Sequence, residues 1–349
     1  MLLQLAKRFW RLIRAYEWWH YKIPLALGVA FAFAWMNRIP FSLLFLPAGL
    51  MLLASTAAGI WAAVINDFTD LDQDRLAGKS TPMMELSPSL QRAVIAGSAL
   101  FNAVAAWALL RYPLSLLLLA ANWMTFVVYS VPPLRIKERG ALGVIAIALG
   151  EHVLLGLLAV SLVVETTGMP LASVPLPWLL AYLGWSTAYG MRGIIWHQIL
   201  DLQKDREAGC KTLGALIGET RLVRIGEWYV FPFEILCFFL LLFLSRDSVF
   251  PILVPIYAMT EWLRYKCWGC NMVIVAPRPN MRLIMLEYYQ IYFPCAFLGL
   301  ALPSDRSALV LIIAFILIFP AAIPRVVREM GLIFRWRVYE PIRIAFSAR

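Results

Sequence analysis

The sequence predicts an all-α integral membrane protein built as a bundle of nine or ten transmembrane helices. Three observations carry that prediction. Of its 349 residues 62% are hydrophobic and 15% charged, where a soluble domain of this size carries about a quarter charged residues. Apolar runs close to the roughly 20 residues that cross a bilayer as a helix recur along the whole chain. The links between them are mostly short, and Lys and Arg gather in alternate links. Spans of this kind must be helical, because lipid offers no partner for backbone N–H and C=O groups.

The spans read at 23–39, 43–65, 91–110, 114–130, 141–163, 174–196, 228–245, 249–263, 285–303 and 307–324. The segment 249–263 is short and interrupted by Pro251 and Pro255, which leaves the count at nine or ten. Arg75 and Lys79 lie in the link 66–90, Arg135, Lys137 and Arg139 in 131–140, and Lys204, Arg206, Lys211, Arg221 and Arg224 in 197–227. The alternate links near 38, 111, 165 and 246 are poor in Lys and Arg, so these three links and the N-terminus are expected on the cytoplasmic side. Before the first span, Leu5, Phe9, Leu12, Ile13 and Tyr16 share one helical face, while Lys7, Arg11 and Arg14 share another. This pattern suits an interfacial amphipathic helix over 1–22, followed by an aromatic belt at Trp18, Trp19, His20 and Tyr21. The bundle then occupies 23–324, and 325–349 forms a basic cytoplasmic tail. No cleavable signal pattern opens the chain, and an N-terminus unlike a transit peptide favours a bacterial inner membrane.

The net charge of +10 is spread over short links between apolar runs. That distribution excludes nucleic acid as the partner and fits membrane lipids and an anionic substrate. Of the five cysteines, only Cys267 and Cys270 form a C-x-x-C, which without a second pair or nearby histidines reads as two chance thiols rather than a zinc site.

Two acidic clusters carry the chemistry. Asn66-Asp67-Phe68-Thr69-Asp70-Leu71-Asp72-Gln73-Asp74 closes one span, and Asp201-Leu202-Gln203-Lys204-Asp205 closes another. If the preceding helix continues, Asn66, Asp70 and Asp74 recur at i, i+4, i+8 on one face with Asp67 beside it; Asp201 and Asp205 repeat the i, i+4 spacing. Like charges at that spacing repel, so a cation is expected among them. Hard carboxylate oxygens suit Mg²⁺ bridged to substrate phosphates. A solvated helix end is the bland alternative. Against it, six of only 21 acidic residues fall in these clusters, at the ends of membrane spans where charge is costly. Arg75, Lys79, Arg135, Lys137, Arg139, Lys204 and Lys211 lie on the same predicted side, as diphosphate ligands or simply as topology signals. Lys137 is the preferred ligand, because Pro132 and Pro133 end the preceding span and fix its loop.

These residues resemble the UbiA superfamily of intramembrane prenyltransferases. Asn66–Asp74 matches its NDxxDxxxD motif. Asp201-x-x-x-Asp205-Arg206-x-Ala208-Gly209-x-x-Thr212-Leu213 is similar to its second aspartate motif, and Tyr129-Ser-x-Pro-Pro-x-Arg-x-Lys137 to the loop after its fourth span. The resemblance spans about residues 20–320. It implies a helical bundle around a central cavity and Mg²⁺-dependent transfer of a prenyl group from its diphosphate to an acceptor. Asn66, Asp70 and Asp74, assisted by Asp67, would hold one metal set, and Asp201 and Asp205 the other. Lys137 and Arg139 would bind diphosphate, and Tyr129 would stabilise the allylic cation or orient the substrate. The acceptor is expected to be aromatic or a quinone precursor. A terpene cyclase that quenches the cation internally uses the same motifs. A transporter is disfavoured, since its acidic residues belong in mid-span.

Polar residues inside predicted spans are further candidates: Glu151 and His152, Glu234, and Asn122. Glu151 stands about ten residues past its loop, roughly 15 Å deeper. Its two readings are a base or substrate contact, and a carboxyl bonded to a neighbouring helix. His197 either orients Asp201 or simply ends its helix.

Overall fold

A computed structural model describes residues 2–76, 78, 80–245 and 250–339. Its helices are α1 (Leu2–Leu12), α2 (Ala15–Trp18), α3 (Ile23–Met36), α4 (Phe45–Thr69), α5 (Leu71–Leu76), α6 (Pro88–Ala108), α7 (Pro113–Ser130), α8 (Ala141–Ala148) and α9 (Leu154–Thr167). There follow α10 (Leu176–Leu200), α11 (Leu202–Glu207), α12 (Leu213–Ile217), α13 (Glu219–Ile225), α14 (Phe231–Leu244) and α15 (Phe250–Trp268). Two short strands, β1 (Asn271–Val273) and β2 (Met281–Leu283), precede α16 (Phe293–Ala301), α17 (Ser307–Ile318) and α18 (Ile323–Phe334). Proline in the first turn starts α3, α6, α7, α10 and α18, where its missing N–H costs no helical bond. The Glu165 carboxylate caps α7, accepting the N–H groups of Leu114 and Ser115 at 2.9 Å each.

α8 and α9 run on as one helix through a π-helical turn at Leu149–Val153, and α13 joins α14 through another at Gly226–Val230. α4 packs on α6, α7 and α9; α10 packs on α8 and α14; α3 lies against α9 and α16. In lipid such helices are held by close packing rather than by water exclusion. A Cβ on Gly190 would stand 2.7 Å from Ala148 Cα, so α10 meets α8 backbone to backbone. Trp178, Tyr182, Trp185, Phe238, Tyr289 and Phe293 fill the interior.

Every expected span carries helix. Four described helical stretches are long and apolar enough to cross a bilayer, Phe41–Thr69, Pro113–Ser130, Ala141–Thr167 and Glu219–Leu244; Ser307–Ile318 with Ile323–Arg337, bent by 76°, makes a fifth if counted as one span. The others fall short for physical reasons. α3 and α16 are short, the apolar run of α6 is interrupted by Gln91, Ser98 and Asn102, that of α10 is diluted by Arg192 and by Trp, Tyr and Gly residues, and α15 carries Glu261, Arg264 and Lys266. The all-α bundle is therefore shown, and the count of nine or ten spans rests on the sequence alone.

The expected interfacial segment 1–22 is two helices, because Arg14 adopts a left-handed conformation (φ 50°, ψ 34°) between them. It is tied to the bundle by Trp19 Nε1, which donates to the Ile318 carbonyl at 3.0 Å. The sequence suggested no sheet, yet β1 and β2 pair in parallel, Asn271 with Met281 and Val273 with Leu283. The last expected span stops at Ile318 rather than 324, and the expected tail begins as α18. Residues 340–349 of that tail lie outside the described residues.

Candidate active site

The helical spacing read from the first motif survives the break between α4 and α5. Asp70 N–H donates to the Asn66 carbonyl at 3.1 Å, and Asp74 N–H to the Asp70 carbonyl at 2.8 Å. The second motif repeats this geometry, with Asp201 N–H to His197 at 3.0 Å and Asp205 N–H to Asp201 at 2.8 Å. Asp70 and Asp201 each cap the C-terminus of a long helix. A carboxylate there faces the negative end of the helix dipole and is disfavoured without a cation.

The loop after α7 supplies two cations. Arg135 donates to Asp70 Oδ1 at 2.7 Å and to the carbonyls of Thr69 and Ser130, both at 3.2 Å, so one guanidinium closes the ends of α4 and α7. Glu138 holds Arg135 Nε from the other side at 2.6 Å. Burial pulls the Glu138 pKa up, but hydrogen bonds from Arg135 and Gln73 outweigh it and hold the carboxyl below its usual range. Lys137 Nζ donates to Asn66 Oδ1 at 3.0 Å and to both Asp70 carboxylate oxygens. Burial lowers the Lys137 pKa below that of an ordinary lysine, with Asp70 opposing the shift.

The two motif-bearing links touch. Gly140 N–H donates to the Lys211 carbonyl at 3.1 Å, and Gly140 bridges to Thr212. Thr212 Oγ1 in turn donates to Asp205 Oδ2 at 3.0 Å. Gly140 has φ 57° and ψ −119°, a conformation essentially reserved for glycine. Both motifs thus lie at one end of the bundle and open on one cavity of about 700 Å³, lined by Asn66 from the first and Asp201 from the second. Tyr129, Glu151, His152 and His197 line it too. Asp70, Asp74, Asp205 and Lys137 are not among the lining residues; Asp70 is linked to the wall through Lys137, which bonds both it and Asn66.

Other expected site residues fall elsewhere. Asp67 is 2% exposed and accepts a hydrogen bond from Arg14 at 3.1 Å; it is bound to the N-terminal segment instead of lining the cavity. Arg75 pairs with Asp72 at 3.3 Å on the surface, Arg139 donates to the Pro133 carbonyl at 3.1 Å, and the Lys211 side chain is exposed. None of these three lines the cavity. Lys79 lies outside the described residues. Glu151, expected either to act or to bond a neighbouring helix, forms an ion pair with Lys22 while facing the cavity.

Sequence reasoning missed several charged groups. Arg192 forms a buried two-pronged pair with Glu234, itself a candidate from the sequence, at 2.6 and 2.7 Å, and also holds the Ile274 carbonyl at 3.2 Å. Arg264 gathers Glu261, Glu287 and Glu329 around itself. Arg192, Glu261, Arg264 and Glu287 sit in or beside predicted spans, so the rule that singled out Glu151 applies equally to them.

The donor set at the motif end is one amide oxygen and several carboxylates, the hard-oxygen chemistry of Mg²⁺. Among the described residues no three His, Cys, Asp or Glu side chains form a ready-made cage. Mg²⁺ is commonly held by one or two carboxylates and completed by substrate phosphate. The residues fit Mg²⁺ arriving with a diphosphate.

The model of the UbiA prenyltransferase family matches residues 23–272. The chain belongs to this family. It is a prenyltransferase-type membrane enzyme. A lycopene elongase/hydratase of Haloarcula japonica is 30% identical over 250 residues, 70% of this chain and 80% of that protein. A UbiA homologue from Archaeoglobus fulgidus, solved with GPP and Mg²⁺, aligns at TM-score 0.58 and 18% identity over 84% of this chain and 99% of its own; solved with DMAPP and Mg²⁺, it aligns at 0.57 and 19% over the same shares. An apo UbiA homologue from Aeropyrum pernix K1 aligns at 0.56 and 18% over 81% and 98%. These likenesses establish the UbiA fold.

Proposed function

We propose that this protein ionises an allylic prenyl diphosphate at the mouth of its cavity and joins the prenyl group to an acceptor inside the membrane. The observation that carries this reading is the convergence of the two aspartate motifs on one cavity, through Asn66 and Asp201. Asn66, Asp70, Asp74, Asp201 and Asp205 would hold Mg²⁺, with the motif end on the cytoplasmic side. Magnesium supplies charge neutralisation on the departing diphosphate oxygen. Lys137 donates to the diphosphate with a charge-assisted hydrogen bond, and Arg135 keeps Asp70 in place. The ring of Tyr129 faces the developing cation and stabilises it. Apolar walls exclude water until the acceptor's π electrons reach the cation.

The relative named lycopene elongase/hydratase favours a long polyene as the acceptor, with an aromatic or quinone precursor second. Purified protein is given GPP or DMAPP with Mg²⁺, alone, with lycopene, or with a hydroxybenzoate. Diphosphate release and prenylated lycopene are expected. A prenylated ring instead selects the aromatic acceptor, and a terpene hydrocarbon or alcohol from the diphosphate alone selects cyclisation. No diphosphate release under any condition refutes the reading.

A further inference from the structure

Deeper in the cavity wall, α8 and α9 are joined by the π-helical turn Leu149–Val153. Such a turn adds a residue to the helix and leaves backbone carbonyls needing outside partners. Here they are supplied: Asn122 Nδ2 donates to the Gly150 carbonyl at 2.6 Å, and Tyr182 Oη to those of His152 and Val153 at 2.9 Å each. The turn is therefore braced from two neighbouring helices, and it carries Glu151 into the cavity lining.

One oxygen of Glu151 is held by Lys22 Nζ. The other lies 4.0 Å from His152 Nε2, and His152 packs edge-on to Tyr189 at 4.7 Å between ring centroids. The pair contrasts with the buried Arg192–Glu234 pair, although Arg192 also borders this cavity. Arg192 and Glu234 are 1% and 0% exposed, with both carboxylate oxygens occupied. Lys22 and Glu151 are 18% and 27% exposed, and both line the cavity shared by Asn66 and Asp201. The Arg192–Glu234 pair is closed on itself; the Lys22–Glu151 pair is partly exposed within the cavity in which substrate would lie.

Resting on the prenyl-transfer reading, we infer that Glu151 is the base that ends the reaction by removing a proton from the product cation, and that Lys22 is a positioning residue that keeps it charged and aimed. When an acceptor alkene attacks the allylic cation, its π pair forms the new C–C bond and the positive charge moves to the acceptor's neighbouring carbon. Glu151 then takes a proton from the carbon beside that centre. The C–H electron pair becomes a new double bond, and the diphosphate has already left with its own C–O pair. Water added to the same cation, with loss of its proton, gives an alcohol. The carboxylate thus decides between alkene and alcohol.

The test uses the full chain in nanodiscs with GPP or DMAPP, Mg²⁺ and lycopene. It compares wild type with Glu151→Gln, Lys22→Met and Lys22→Arg, counting alkene and alcohol products per diphosphate released. The alkene-to-alcohol ratio is expected to fall by about a hundredfold in Glu151→Gln, the low end of what a placed general base contributes. It should fall in the same direction in Lys22→Met and recover in Lys22→Arg. An unchanged ratio in Glu151→Gln overturns the inference. If Glu151→Gln releases no diphosphate, the two Lys22 variants decide, and equal ratios in both overturn it. Absence of diphosphate release by wild type sinks the prenyl-transfer reading itself, and this inference with it.

Discussion

Asp70 and Lys137 are the residues on which the chemistry turns. Asp70 is held by two cations at a helix C-terminus that would disfavour a lone carboxylate, an arrangement suited to a metal–diphosphate ligand. Charge neutralisation of a departing phosphate oxygen is worth several kcal/mol, so Asp70→Asn and Asp201→Asn should each lower the rate of diphosphate release by at least about a hundredfold. Size-exclusion profiles of the purified variants should match wild type; full activity in either contradicts the metal assignment. Lys137 must be charged to hold diphosphate, and burial has lowered its pKa. Deprotonation therefore begins below the usual lysine range of about 10.4, and kcat/KM should fall on that alkaline limb as pH rises. Lys137→Arg keeps its charge and should move the limb upward, while Lys137→Ala should chiefly raise KM. A pH profile identical in wild type and Lys137→Arg removes Lys137 from the clamp. Glu138 acts on stability instead, at the acid end of the pH range. Its carboxyl is held low, so its contribution is full above the unfolded value near 4.3 and lost as pH falls through the folded value.

Among the elements, the junction of the two motif-bearing links matters most. Gly140 adopts a backbone conformation closed to other residues and meets Lys211 and Thr212 there. Gly140→Ala should cost about 1–3 kcal/mol of strain and be read as a lower melting temperature with weaker diphosphate binding; an unchanged variant would mean that the links need not meet. Helical spacing made both motifs legible in the sequence, because i, i+4 repetition survives the short breaks at Asp70 and Asp201. Lys137 was legible from its loop. Arg135 was counted there only as one basic residue, since its role depends on a left-handed turn (φ 36°) that aims it at two helix ends. Spacing puts Asp67 beside the metal face and gives no sign of the hydrogen bond it accepts from Arg14, distant in sequence. The π-helical turn at Leu149–Val153 was invisible for the same kind of reason: its support comes from Asn122 and Tyr182, distant in sequence.

For the whole molecule, helical spans surround one cavity whose mouth gathers residues far apart in the chain, from Asn66 to Asp201. Helix periodicity predicted the elements, but the convergence of the two motifs is a property of packing alone. A cavity whose metal arrives with substrate should lose activity on EDTA treatment and regain it with Mg²⁺. Activity that survives chelation would contradict the metal reading. The most direct test is a double-mutant cycle on binding of a geranyl thiodiphosphate analogue with Mg²⁺, using Asp70→Asn, Asp201→Asn and the double variant. If both motifs grip one ligand, the two losses should be non-additive, with a coupling of about 0.5–3 kcal/mol. Losses that add to within about 0.3 kcal/mol would show two carboxylates acting apart and would contradict the account.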